Sequence, residues 1–204
     1  MKLHSAIFFV LVSFLFAGST FVSDGYKVGD TVDGFKLKNV DGKMIALDDY
    51  KNSKGVILIF DCNTCPYSRA YNDRIIELNE KYSSKGFPVV TINSNDPNLS
   101  PGDSFDEMVK RAKSKSYSFP YLFDDTQVVA RAFGATNTPH VFVLQKAANN
   151  FKVSYIGAID NNSRDASSAD KKYVEDAVDA LLSGKDAPVT KTKAIGCSIK
   201  YRNT

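Results

Sequence analysis

The segment GVILIFDCNTCPY, residues 55–67, decides the fold of this chain. Its first six residues form an unbroken apolar run with several β-branched side chains, which is typical of a strand buried on both faces of a parallel sheet. Cys62 and Cys65 follow directly, and Pro66 suits the first turn of a helix, where a missing N–H is tolerated. The segment therefore predicts a central strand, a Cys-x-x-Cys pair and the beginning of a helix.

The cysteine pair has the spacing and the position that thiol–disulfide chemistry requires. Two intervening residues let both sulfurs meet on one helical turn, so a disulfide can open and close without moving the fold. A helix N-terminus carries roughly +0.5 charge and stabilises a thiolate, which is the nucleophilic form of cysteine. We expect Cys62 to be the more exposed sulfur and the attacking group, and Cys65 to resolve the mixed disulfide.

Asp61 stands directly before the pair and opposes this arrangement. A carboxylate beside Cys62 disfavours its thiolate by charge repulsion, whereas the helix terminus favours it. The sequence alone leaves open which of the two effects is larger.

The remaining sequence predicts an α/β fold with a mixed sheet, helices on both faces and an N-terminal β-hairpin. Asp41-Gly42 between two short strands is a hairpin signal, and strands joined through helices imply a parallel section. Two hairpins are predicted: the first spans 35–47, and the second pairs 141–144 with 153–157 through a polar loop at 145–150. A further strand is predicted at 88–93 and an extended segment at 119–123. The predicted helices are 66–85, 104–117, 126–133 and 169–183.

Composition indicates one globular domain. The chain has 204 residues, of which 43% are hydrophobic and 24% charged, and its net charge of +3 is spread without a basic block. Nucleic-acid binding, which needs clustered Lys and Arg, is therefore not expected. We predict one domain over residues 26–184 and a C-terminal tail over 185–204.

The first 19 residues have the form of a secretory signal peptide. A short basic segment precedes the apolar run Ala6–Phe16, and Ala17-Gly18-Ser19 supplies small residues for cleavage near Ser19. An uncleaved membrane anchor is the rival interpretation, but a span needs about 20 apolar residues. We therefore expect an exported protein, periplasmic or secreted, with no stable membrane span after cleavage.

Two other interpretations of the pair are a metal knuckle and a purely structural disulfide. Zinc needs a second cysteine pair or nearby histidines, and the chain has only Cys197, His4 and His140 to offer. Three cysteines are also too few for a disulfide-stapled scaffold. We expect no metal and no cofactor.

A second signal is Asn137-Thr138-Pro139-His140, just before a predicted strand. Together with the cysteine segment it resembles the thioredoxin superfamily, in which such a dipeptide, with its proline cis, faces the cysteine pair. The resemblance implies that Thr138 offers backbone groups to an extended substrate and that Pro139 lies beside both cysteines. His140 we interpret as a structural strand residue.

Within that superfamily, the opening segment from Val28 to Asp61 resembles the redoxin branch of alkyl hydroperoxide reductase and thiol-specific antioxidant proteins. Gly29-Asp30 and Asp41-Gly42-Lys43 carry much of the likeness, which spans about residues 26–160. Thioredoxins differ, because they carry Trp before the first cysteine, Gly-Pro between the two, and a buried Asp where this chain has Val56.

The predicted function is exchange of disulfides with substrate proteins through Cys62 and Cys65, with an unknown redox partner supplying or accepting electrons. A thiol-dependent peroxidase is an alternative, although the peroxiredoxin pattern Pro-x-x-x-Thr-x-x-Cys fits neither cysteine. A copper-binding module is another, although copper-handling relatives use a pair one residue longer plus a distant His. Cys197 is either a passive thiol or a third redox residue that reaches Cys62.

Overall fold

The protein is described by a computed structural model that covers residues 25–203. The predicted signal peptide, residues 1–19, lies outside the described residues. In chain order the elements are β1 (Thr31–Val32), β2 (Lys36–Asn39), β3 (Met44–Ala46), β4 (Gly55–Phe60), α1 (Pro66–Tyr82), β5 (Val89–Asn93), α2 (Phe105–Ser114), β6 (Tyr121–Phe123), α3 (Val128–Phe133), β7 (Asn137–Thr138), β8 (His140–Ala147), β9 (Asn150–Gly157), α4 (Tyr173–Leu182) and β10 (Cys197–Ser198).

One mixed sheet of eight strands, in the order β1-β9-β8-β4-β5-β6-β2-β3, forms the middle layer. Strands β4, β5 and β6 are parallel, and the flanking pairs are antiparallel. The two short strands β7 and β10 pair with each other in a separate antiparallel ladder. The predicted α/β fold class, a mixed sheet flanked by helices with an N-terminal hairpin, is confirmed.

Strand β4 separates the two halves of the core because its side chains alternate between the faces of the sheet. Leu58 and Phe60 join the cluster that α3 covers, whereas Ile57 and Ile59 join the cluster beneath α1 and α4. All six residues of β4 are buried, as the apolar run predicted.

Helix α1 begins and ends close to the predicted residues. Cys65 is its N-cap and Pro66 its first residue. A short 3-10 turn over 83–85 follows α1, and Gly86 ends it with a φ of 95°, a left-handed conformation that glycine adopts without strain. The apolar stripe of α1 is buried at Tyr71 and Ile75 and continues to Tyr82.

The polar loop predicted at 145–150 is wrong. Strands β8 and β9 continue through most of it, with Gln145 opposite Lys152 and Ala147 opposite Asn150, so the turn is only Ala148 and Asn149. The polar side chains of this stretch do not interrupt the strands, because the backbone ladder continues and Lys146 packs over the ring of Phe151 on the facing strand. Within residues 25–203, no helix is long and apolar enough to cross a membrane.

Candidate functional site

The cysteine pair and the Thr138-Pro139 dipeptide meet because their strands are neighbours. Strand β4 ends at Phe60, which lies opposite His140, the first residue of antiparallel strand β8. The residues that follow β4 are therefore brought against those that precede β8. This pairing places two segments about 75 positions apart in one site.

Thr138 contacts both sulfurs of the pair. Its hydroxyl oxygen lies 3.1 Å from Cys62 Sγ, and its carbonyl oxygen lies 3.2 Å from Cys65 Sγ. The peptide bond between Thr138 and Pro139 is cis. The predicted cis dipeptide facing the cysteines is thus present in the structure.

The prediction that Cys62 is the more exposed sulfur is wrong. Cys62 is 1% exposed and Cys65 is 2% exposed, so both are buried. Cys65 is the N-cap of α1, and Cys62 lies before the helix in the turn that follows β4. Cys62 instead lies between Thr138 and Ser68, whose hydroxyl is 3.8 Å from its sulfur.

Cys197 brings a third sulfur into the site. Its Sγ lies 2.7 Å from Cys65 Sγ, and its backbone N–H donates to the same sulfur at 3.3 Å. All three cysteines are free thiols in this structure, and Cys197 is the one that is partly exposed. The sequence-based alternative placed a functional Cys197 against Cys62, whereas the structure places it against Cys65.

The surroundings lower the pKa of Cys65 and raise the pKa of its two neighbouring cysteines. The hydrogen bond from the Cys62 thiol, joined by contacts from Cys197, lowers the pKa of Cys65 to about 4 in spite of its burial. The same shared hydrogen bond, together with burial and the charge of Asp61, raises the pKa of Cys62. Burial and the neighbouring Cys65 raise the pKa of Cys197 to about 11. The lower pKa of the pair is thus that of Cys65, and the higher one is that of Cys62, the sulfur next to Asp61.

Asp61 is a buried carboxylate with an incomplete set of partners. It is 1% exposed, its Oδ2 lies 3.7 Å from Nη2 of Arg111, and its Oδ1 has no hydrogen-bond partner among the described residues. Burial raises the pKa of Asp61 to about 6, and the Arg111 guanidinium only partly opposes that rise. The sequence identified Asp61 as a neighbour of the cysteines, but nothing in it pointed to Arg111 of α2.

Asp103 fixes the loop between the cysteines and was missed by the sequence analysis. Its carboxylate accepts hydrogen bonds from Asn63 N at 2.6 Å and from Thr64 Oγ1 at 2.7 Å. Asn95 and Ser100 donate to it at 2.8 and 2.6 Å. Burial opposes the charge of Asp103, but these bonds outweigh it and lower the pKa of the carboxyl. The only sequence signal that could have indicated this role is the presence of an aspartate in the polar loop before α2.

Replacing Asp103 with asparagine is expected to lower the free energy of unfolding at pH 7 by about 2 kcal/mol, because a buried carboxylate with several donors is lost. Since the pKa of Asp103 is lowered in the folded state, its contribution is present above the unfolded pKa of about 3.9 and is lost as the pH falls through the folded value. Urea unfolding at pH 7 and near pH 3 measures both effects. The exposed Asp186→Asn is the control, and an equal loss in the two variants at pH 7 would contradict the prediction.

His140 has the contacts of a structural residue, as interpreted from the sequence. Its Nδ1 accepts a hydrogen bond from Thr136 N at 3.3 Å, and its ring lies 4.8 Å from that of Phe142. Burial lowers the pKa of His140 to about 4, which keeps the ring neutral. In the part of the chain that the structure describes, no group of three or more His, Cys, Asp and Glu side chains is arranged to hold a metal ion.

The fold and the site together define a thioredoxin-like redox protein. Residues 28–153 match the model of the AhpC/TSA family. The chain belongs to that family, which lies in the redoxin branch of the thioredoxin superfamily. Its general class is oxidoreductase.

Several solved structures are similar to the chain. An uncharacterized conserved protein from Geobacillus kaustophilus is 34% identical with a TM-score of 0.82, over 89% of this chain and 96% of its own. A hypothetical protein from Sinorhizobium meliloti 1021 is 31% identical with a TM-score of 0.80, over 88% and 97%. A thiol:disulfide interchange protein of the thioredoxin family from Chlorobium tepidum shares the fold at 19% identity and a TM-score of 0.51, over 63% and 87%. None of the curated proteins compared with the chain matches it.

Proposed function

We propose that this protein is a thiol–disulfide oxidoreductase that exchanges disulfides with substrate proteins, and that Cys62 and Cys65 are its redox couple. The observation that carries the proposal is the N-terminal end of α1, where the Cys65 sulfur is held against both Cys62 and the cis dipeptide at Thr138. A sulfur with a lowered pKa is a good nucleophile at neutral pH and also a good leaving group. Cys65 can therefore both form and release a disulfide.

The proposed exchange ends on the pair. Cys65 shares a disulfide with another sulfur, and the Cys62 thiol loses its proton and attacks Cys65 Sγ. The Cys62–Cys65 bond forms, the bond to the other sulfur breaks, and the departing sulfur takes the electron pair and a proton. The direction of the overall reaction follows from the reduction potential of the Cys62–Cys65 couple relative to that of the substrate couple. In this order of events Cys65 forms the mixed disulfide and Cys62 resolves it, which is the reverse of the sequence-based assignment.

The proposed substrate contact at Thr138 and Pro139 needs one revision. The sequence-based resemblance assigns the Thr138 backbone to an extended substrate, but in the structure β10 of the same chain pairs with that edge. The Thr138 side chain keeps a role in holding the pair, since its hydroxyl contacts Cys62. The position of Pro139 beside the two cysteines stays a prediction from the resemblance.

Equilibration with dithiothreitol buffers of known ratio tests the function. We expect a reversible Cys62–Cys65 disulfide, identified by alkylation and peptide mass spectrometry, and transfer of that oxidation to or from a protein substrate such as insulin. The reduction potential then states the direction, since a strongly negative value means a reductase. A pair that never forms a disulfide, or one that dithiols cannot open, would contradict the proposal.

A thiol-dependent peroxidase is the second candidate, favoured by the family and by the lowered pKa of Cys65. Its chemistry is attack of the Cys65 thiolate on a peroxide oxygen, which breaks the O–O bond, releases water or an alcohol and gives a sulfenic acid. A second thiol then condenses with the sulfenic acid to a disulfide and releases water. Rapid peroxide consumption coupled to a dithiol would favour it over protein disulfide exchange. We further propose that the protein is exported, which rests on the sequence of residues 1–19 and is tested by the N-terminus of the mature chain.

A further inference from the structure

The C-terminal tail lies on the edge where a substrate strand was expected. Strand β10 runs antiparallel to β7, with Cys197 opposite Thr138 and Ser198 opposite Asn137. The side-chain amide of Asn137 also donates to Gly196 O at 2.9 Å. The tail thus presents a cysteine to Cys65 in the way that an extended substrate would present one.

Gly196 permits this close approach. A Cβ atom at position 196 would lie 2.0 Å from Thr138 O, a distance that no side chain can adopt. Any other residue here would push β10 away from β7 and Cys197 away from Cys65. The position is therefore suited to a strand that must lie directly against the dipeptide.

The tail is tied to the domain on both sides of Cys197. Before it, Thr192 N donates to Ile156 O at 2.9 Å and the Thr192 hydroxyl lies 2.6 Å from that of Tyr155. After it, the side chain of Ile199 is 6% exposed within the core, and Arg202 lies 3.2 Å from Asp96. An external strand could reach Thr138 only by removing these contacts, so we treat Cys197 as a fixed part of the site.

Resting on the function proposed above, we propose that Cys197 is a third redox residue that exchanges with the external protein and passes the disulfide to Cys65. The position of Cys197 supports this order, because Cys197 is partly exposed whereas Cys65 and Cys62 are both buried. The three sulfurs form a short relay in which Cys65 contacts both of the others. The external partner is a protein that carries an accessible disulfide or dithiol.

In the direction that reduces a substrate, the relay has three steps. The Cys197 thiol passes its proton to the Cys65 sulfur, 2.7 Å away, and attacks the substrate disulfide. A mixed disulfide forms, and the first substrate sulfur takes that proton back from Cys65 and leaves as a thiol. The Cys65 thiolate then attacks Cys197 Sγ, forming the Cys65–Cys197 bond and releasing the second substrate thiol. Finally Cys62 attacks Cys65 Sγ, so that the Cys62–Cys65 disulfide forms and Cys197 returns as a thiol. The substrate gains two electrons and the pair loses two, and the reverse sequence oxidises a dithiol.

Trapped intermediates test the order of the sulfurs. In Cys62→Ser the last step is blocked, so oxidation by glutathione disulfide should accumulate a Cys65–Cys197 disulfide. In Cys65→Ser, glutathione should remain attached to Cys197. Non-reduced peptide mass spectrometry identifies both products. Glutathione found on Cys65 in Cys62→Ser, with Cys197 still a thiol, would overturn the relay.

Single-turnover kinetics supplies the second test. Reduced protein is mixed with excess insulin and quenched with an alkylating agent, and the rate of Cys62–Cys65 disulfide formation is followed. Cys197→Ser is expected to slow it at least tenfold, whereas the exposed neighbour Ser198→Ala leaves it unchanged. If the disulfide forms as fast in Cys197→Ser as in the wild type, or faster, the tail only covers the pair. That result would overturn the relay but not the proposed function. A wild-type protein that forms no Cys62–Cys65 disulfide with insulin would instead overturn the proposed function.

Gly196→Ala provides a variant that keeps all three cysteines. It should lose the Cys65–Cys197 disulfide when combined with Cys62→Ser, because the added methyl group displaces β10. Retention of that disulfide at the original yield would show that the placement of β10 does not control the exchange, and would contradict the proposal.

Discussion

Replacing Cys65 with serine is expected to lower the rate of disulfide exchange with insulin by about a thousandfold or more, as loss of a nucleophile commonly does. Cys65 is the sulfur that contacts both Cys62 and Cys197, and its lowered pKa makes it the thiolate at neutral pH. A serine hydroxyl supplies neither the nucleophile nor the leaving group. Because this variant cannot form the Cys62–Cys65 disulfide, the rate is followed as the appearance of free insulin thiols in both proteins, and a residual rate within tenfold of the wild type would contradict the assignment.

The same substitution should also change the titration of the site. The ultraviolet absorbance of a thiolate should persist in the reduced wild-type protein as the pH falls towards the Cys65 pKa of about 4. In Cys65→Ser that low-pH signal should vanish, because burial opposes ionisation of both remaining thiols, Cys62 and Cys197. Cys197→Ser is the matched control, since it removes a sulfur but leaves the hydrogen bond between Cys62 and Cys65.

Replacing Arg111 with methionine is expected to lower the free energy of unfolding at pH 8 by about 3 kcal/mol, since removing one member of a buried ion pair leaves the other charge uncompensated. Arg111 lies 3.7 Å from the buried Asp61, and its Nη1 donates to Asn63 O at 3.2 Å. Urea unfolding of both proteins measures the difference. Lys110→Met, on the same helix with a 71% exposed side chain, should change stability by less than about 1 kcal/mol.

The loss in Arg111→Met should depend on pH in a defined direction. The pKa of Asp61 in the folded protein is about 6, above its ordinary value, so ionisation of this group destabilises the fold as the pH rises from about 4 to about 6 and then levels off. Without Arg111 the folded pKa rises further, and the destabilisation grows above pH 6. The defect should therefore be smaller at pH 5 than at pH 8.

The double variant Asp61→Asn/Arg111→Met checks the cause. If the uncompensated carboxylate is responsible, the double variant should recover much of the lost stability at pH 8 and lose the added pH dependence. A double variant as unstable as Arg111→Met at both pH values would mean that the hydrogen bonds of Arg111 to the cysteine loop account for the effect instead.

Much of the fold could be predicted because its signals are local. The apolar run of β4, the proline and spacing of α1, and the turn residues of the first hairpin each act within a few positions. The predictions failed where local composition and ladder pairing disagreed, as at 145–150, where polar residues continue the β8–β9 ladder beyond the core. The short strand β10 was missed because two residues carry no detectable period.

The sequence by itself determined the fold class and the Cys62 and Cys65 pair at the beginning of a helix, because both rest on short segments with strong conformational preferences. The cis dipeptide at Thr138-Pro139 was expected only from the resemblance to the thioredoxin superfamily. Only the tertiary structure decided that Cys65 has the lowered pKa, that Asp61 is matched with Arg111, and that Cys197 lies 2.7 Å from Cys65. The physical reason is that burial, charge pairing and sulfur contacts depend on residues that are distant in the chain. Folding brings Cys197 132 positions back to Cys65, and no local pattern records that distance.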